Sequence, residues 1–254
     1  MNGRSGRFNL TVSTPILEIE HMADPDKKGW LARRIQAVLQ KGLTRAYSTV
    51  AVNPAEYLNH LRRAHNLPVV SYHGLYSVPV KQLDDVANDA IRASMKLAAA
   101  EGAGFGLGGF LAIVPDLGIL AAITMRMIQK LSLVYGFEVN TDDEMAELWI
   151  AAASAAGVDI SRELLEREVV PRFIPQLVQR IAARASAEVV EKWTARIIPL
   201  ASSVIGGGLN YYFVRAWGNR AASHFREKHL QRREAVGLGD QQDVYPRRRP
   251  DCRE

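Results

Sequence analysis

Between Gly102 and Met125 the chain holds glycines at 102, 104, 106, 108, 109 and 118, and its only charged residue there is Asp116. Each glycine inside a helix costs roughly 1 kcal/mol relative to alanine. A helix of this composition therefore needs an offset, and close backbone approach or a lipid environment are the two that physics supplies. Gly102 and Gly106, like Gly104 and Gly108, are four residues apart and share one helix face, which lets a second backbone come near. Gly206, Gly207 and Gly208 create a similar apolar, glycine-dense stretch over Ile197–Val214.

The segment Gly104–Gly109 also matches G-x-G-x-x-G. A dinucleotide site requires a strand before that motif and an acid about twenty residues after it. The preceding Ala93–Ala100 reads as helix, and Arg126 and Gln129 stand where the acid belongs. Nucleotide binding at this motif is excluded on context.

The rest of the chain is helical in period. Asp24-Pro25-Asp26 starts a first helix carrying Trp30, Ile35, Leu39 and Leu43. Asn53-Pro54-Ala55-Glu56 opens a second that ends near Asn66. Leu67–Pro79 reads as a connection, and Val80–Glu101 as a third helix whose Asp84, Asp85 and Asp89 form a solvated face. Tyr135-Gly136 suits a left-handed helix end, and Thr141-Asp142-Asp143-Glu144 is a capping box. Ser161 caps a later stretch interrupted by Pro171 and Pro175, and a last helix spans about Leu200 to Arg233. With no alternating β-branched runs, the expected fold is all-α. It is a compact multi-helix domain over 24–233 with glycine-rich apolar hairpins, preceded by an N-terminal arm (1–23) and followed by a disordered tail (234–254).

As one helix, Gly102–Met125 would reach about 36 Å, enough to cross a bilayer. Pro115-Asp116 lies near its middle, and a carboxylate at bilayer centre costs roughly 2.5–3.5 kcal/mol. The expectation is a hairpin divided at Pro115-Asp116, either buried in a soluble core or dipping into one leaflet. Polar residues in these apolar surroundings, Asp116, Arg126, Asn210 and Arg215, are expected to meet across helices, because buried charges demand partners.

Motifs for catalysis are absent. The histidines at 60, 65, 224 and 229 lack H-E-x-x-H spacing, so no metal site is expected. There is no G-x-S-x-G, and the single cysteine, Cys252, lies near the end of the chain. No catalytic residue and no cofactor are assigned. No apolar run follows Met1, so no secretory signal is expected.

The last helix places Tyr211, Tyr212 and Trp217 beside Arg215, Arg220 and Arg226. Aromatics favour the headgroup layer and cations favour an anionic leaflet. With Phe105 and Phe110 of the first glycine-rich stretch, these are the candidate membrane-interface residues. The net charge of +5 suits an anionic surface. No nucleic-acid reader motif accompanies the arginines, so no nucleic-acid partner is expected.

Taken in order, the glycines from Gly102 to Gly109, the series Asp116, Arg126 and Tyr135-Gly136, and Gly206-Gly207-Gly208 with Asn210, Phe213, Ala221 and Phe225 resemble the EcsC family of bacterial proteins. The resemblance covers roughly Lys81–His229. It implies a helical, membrane-linked accessory role, because the family is named for a member encoded beside ABC-transporter components. It supplies no reaction. The expectation is a cytoplasmic protein, peripheral at the inner face of the membrane, whose partner is the membrane surface or a membrane complex such as an ABC transporter. Two rivals stay open at this point: a soluble hydrolase-like enzyme with a pocket between the hairpins, and a membrane-inserting effector.

Overall fold

The computed structural model describes residues 25–49, 52–105, 110–139, 141–158, 170–194 and 203–237. They form α1 (Pro25–Thr49), α2 (Pro54–His65), a 3-10 turn (Tyr72–Ser77), α3 (Val80–Phe105), α4 (Phe110–Val134), α5 (Asp142–Ala155), α6 (Val170–Thr194) and α7 (Ser203–Ala235). No strand occurs among the described residues, so the fold is all-α. The expected arm (1–23), the tail beyond Gly237 and the Ser161 cap lie outside the described residues.

Local chemistry sets the helix ends. The Asn53 side chain accepts hydrogen bonds from the Ala55 and Glu56 amides at 3.0 and 3.3 Å, and Asn66 closes α2 in the left-handed region with φ 52°. Gly136 ends α4 with φ +85°, while the Phe137 amide donates back to the Ser132 carbonyl at 2.9 Å. Thr141 and Glu144 form the reciprocal capping box that starts α5. One expectation fails: α4 runs continuously from Phe110 and contains Pro115 and Asp116, so the division of the apolar stretch falls after Phe105. A proline early in a helix removes one hydrogen bond, and the apolar sequence beyond it has enough burial to keep the helix intact.

The central element is α4, which packs against α1, α2, α3, α5 and α7. Its Leu117–Val134 stretch is long and apolar enough to cross a membrane, yet 72% of it is buried in the bundle. Leu120, Met125, Met127, Ile128 and Leu131 join one core with Ile35, Leu61, Leu83, Ile91, Trp149, Ile181, Trp217 and Phe225, so this half of α4 is core.

Close helix approach occurs where glycines face neighbours. A methyl group on Gly42 of α1 would come within 3.1 Å of the Gly118 backbone in α4. One on Gly218 of α7 would meet Ile91 of α3 at 2.9 Å and the Met127 sulfur of α4 at 3.0 Å. Gly102 and Gly207 are buried, whereas Gly208 is exposed with nothing near its absent side chain. Gly104 and Gly206 are helical, and Gly106, Gly108 and Gly109 lie outside the described residues.

These environments predict opposite signs for one chemical change. Gly218→Ala should lower stability in urea unfolding by about 1–3 kcal/mol, the range for an overpacked core. Gly208→Ala should leave stability unchanged or raise it by up to roughly 1 kcal/mol, the helix-propensity difference.

Candidate functional site

Register between helices fixes which residues share a level. Asp84 meets Arg226 and Ile91 lies against Gly218, so α3 and α7 run antiparallel. Asp84 also meets Tyr135, and Met127 lies beside Gly218, so α4 runs opposite to α3 and along α7. Gly42 pairs with Gly118 and the Val52 amide with Gln129 at 3.0 Å, so α1 runs along α4.

Leu97, Ile119, Tyr211 and Tyr212 consequently lie at one level, about 12 Å from the glycine-rich end of the bundle at 1.5 Å per residue. All of them are exposed, as is Trp30, which lies roughly 18 Å before Gly42 on α1 toward the same end. The remaining large exposed apolar residues described, Val70 and Val236, belong to the opposite end, where Arg233 of α7 reaches the Val78 carbonyl. Exposed cations accompany the band at Lys41, Lys96 and Arg215, and Arg33 and Arg34 lie nearer the tip with Trp30. The Arg34 guanidinium sits 5.4 Å from the Trp30 ring centre. A girdle of aromatic and aliphatic side chains with interspersed cations around one end suits a boundary between water and an apolar, anionic layer.

The expected interface residues divide. Tyr211 and Tyr212 are exposed in this band. Trp217 is not an interface residue: it is 1% exposed and stacks on Phe213 with ring centres 4.8 Å apart. Arg220 and Arg226 are exposed but paired, Arg220 with Glu188 of α6 at 3.8 Å and Arg226 with Asp84 of α3 at 3.0 Å. The helical spacing that suggested a basic stem on α7 is real, but these two side chains lock helices together. Phe105 and Phe110 terminate α3 and begin α4, and their side chains lie outside the described ones.

Of the expected polar network, Asn210 is buried, while Arg126 and Arg215 reach solvent and Asp116 lies in α4 without a described side chain. Exposed guanidiniums carry no desolvation penalty, so neither arginine requires a buried partner.

The polar clusters that the structure does assemble lie at the other end. Asp84 is only partly solvated: the Tyr135 hydroxyl donates to it at 2.9 Å, and Arg226 Nε donates to both its oxygens at 3.1 and 3.0 Å. Burial and then the Asp84 charge push the Tyr135 phenol up. Beside them, His229 is wholly buried and stacked on Tyr76, with ring centres 4.9 Å apart. His229 Nδ1 lies 2.8 Å from the Tyr135 carbonyl and so carries the hydrogen, which leaves Nε2 a buried acceptor with no donor among the described residues.

A second cluster joins α5 to α7. His224 Nε2 lies 2.8 Å from Glu147, and Lys228 contacts the other carboxylate oxygen. Burial raises the Glu147 carboxyl, but hydrogen bonds and charge from His224 and Lys228 outweigh it and hold the group below the usual range. Glu147 and Lys228 line a cleft of about 570 Å³ with Phe137, Glu138, Phe225 and Arg232. The sequence carried a signal for this pair, because His224 and Lys228 are four apart and share a helix face. Among the described residues no group of three metal-ligating side chains comes together.

His229 makes stability depend on pH. Burial, with Arg226 and Arg233 opposed by Asp84, holds its pKa below the ordinary 6.5. The fold favours the neutral ring, so its contribution is complete above about pH 6.5 and is lost as pH falls further. Thermal unfolding midpoints should drop between pH 7 and pH 5, and His229→Phe should flatten that dependence while lowering stability at pH 7.

Comparison with known proteins follows this geometry. The profile of the EcsC protein family matches residues 3–230, extending upstream of the Lys81–His229 span that carries the motifs. Protein EcsC of Bacillus subtilis (strain 168) is 23% identical over 205 residues, covering 79% of this chain and 86% of that protein. No solved structure matches.

Proposed function

Because the chain belongs to the EcsC protein family, we propose that it is a membrane-associated accessory protein that seats the glycine-rich end of its bundle on an anionic membrane surface. One observation carries the reading: Leu97, Ile119, Tyr211 and Tyr212 are exposed at one level toward that end, and Trp30 is exposed nearer the tip. Monomeric proteins rarely leave such residues gathered without a partner surface. The band lies about 12 Å from the end of the bundle, comparable to half of the roughly 30 Å hydrocarbon core. At that depth Tyr211 and Tyr212 would lie at the headgroups and the tip would reach across most of one leaflet. Lys41, Lys96 and Arg215, at or just behind the level of the band, would then face anionic lipid, each worth about 1 kcal/mol near such a surface.

Crossing the bilayer is a poorer fit, because the apolar stretch of α4 is spent on the core. The protein would act at the inner face of the cell membrane, in support of a transport or secretion complex and without chemistry of its own. The family resemblance favours an ABC transporter as the kind of complex.

Flotation with vesicles tests this. The protein should rise with vesicles containing anionic phospholipid at low salt, and less at 0.5 M NaCl, where screening shortens the reach of each charge to a few Å. Combining Trp30→Ala with Tyr211→Ser should reduce the bound fraction at least tenfold with unchanged thermal stability. Wild-type protein that stays wholly in the soluble fraction at low salt contradicts the proposal.

A further inference from the structure

The cations of α7 and of α2 differ in what they meet. On α7, Arg220, Arg226 and Lys228 each meet a carboxylate, and Arg232 lies 5.9 Å from the ring centres of Tyr76 and of Phe137. On α2, Arg62 and Arg63 have no ion-pair partner among the described residues. They line a hollow of about 490 Å³ together with Asn59 and Asn66. Positions 59, 62, 63 and 66 follow the spacing that gathers side chains on one helix face. No acidic residue lines the hollow, and Val70, 85% exposed, provides an apolar wall.

One further cation, Lys130, lies beside α2. His60 and His65 stand with ring centres 5.9 Å apart, and Lys130 lies 6.0 Å from the ring centre of Tyr57, on which His60 stacks. Burial, then His65 and Lys130, lower the His60 pKa. Arginines in a last turn offset the helix dipole. That role explains their charge, and the left-handed helix end explains Asn66, but neither requires Asn59 or a hollow free of acids among the described residues.

We propose that this hollow at the end of α2 binds a phosphate monoester, the Arg62 and Arg63 guanidiniums holding the phosphoryl oxygens, the Asn59 and Asn66 amides completing the donor set, and Val70 facing the organic part. Two guanidiniums match the charge of a phosphoryl dianion and present donor forks of suitable geometry. The site lies clear of the aromatic band: Lys130, beside α2, is roughly 16 Å along α4 from Ile119. It does not depend on the membrane reading.

Titration calorimetry with phenyl phosphate at low salt should show saturable binding. Arg62→Gln/Arg63→Gln should weaken it at least tenfold, whereas the charge-matched Arg180→Gln/Arg184→Gln on α6 should not. Arg62→Lys/Arg63→Lys keeps the charge and loses the forks, so it should bind more weakly than wild type even if the glutamine pair unfolds. Vesicles containing phosphatidic acid form a second arm. If the α2 variants lose vesicle capture as well, the phosphoryl group is a lipid headgroup; if they lose only phenyl phosphate, the ligand is soluble. Absence of saturable binding in both arms, or equal loss in the α6 control, overturns the proposal.

Discussion

The approach of α7 to α3 and α4 at Gly218 sets the register of the whole bundle. Ile91 and Met127 occupy the space a side chain would take, so the three helices interlock at that point. Two turns along α7, Arg226 then reaches Asp84, and Asp84 is also held by Tyr135 at the end of α4. Three helices share one carboxylate, and the buried His229 stacks beneath it against Tyr76. In the opposite direction the same register brings Tyr211 and Tyr212 level with Leu97 and Ile119. Packing at one glycine thus separates a tightly paired polar end from an exposed apolar end.

That separation gives the two ends different chemistry. At the Asp84 end most cations are committed: Arg226 to Asp84, Lys228 to Glu147, Arg232 to aromatic faces. Groups committed in this way contribute to the fold and have little left for a partner. At the glycine-rich end, Arg33, Lys41, Lys96 and Arg215 are exposed, and Arg34 lies against the Trp30 ring. The same residue type therefore carries a structural role or an interfacial one according to what the register brings opposite it.

Much of the fold was legible because helix ends are local chemistry. Asn53, Thr141 with Glu144, and Gly136 each act through neighbours within a few residues, and each does so as its spacing indicates. Packing partners are not local. Gly218 looks no different in sequence from Gly208, yet one is wedged between Ile91 and Met127 and the other stands in open space. Asp84 carries the same helical spacing as its exposed neighbour Asp85, and only the distant Tyr135 and Arg226 distinguish them. Trp217 looked interfacial because aromatics and arginines surround it in sequence, whereas its face of α7 turns inward onto Phe213. Proline misled for a related reason: Pro115-Asp116 has the local character of a helix start, but the chain divides after Phe105.

The central claim is that the band containing Tyr211 meets lipid while the far end stays in water. Site-directed spin labelling measures this directly: one label at position 211, another at position 70, Cys252 replaced by serine, and collision rates with oxygen and with a nickel chelate recorded with and without anionic vesicles. On adding vesicles, the label at 211 should become oxygen-accessible and shielded from nickel, while the label at 70 should keep its water-like accessibility. Unchanged accessibility at 211, or an equal change at 70, would contradict the account.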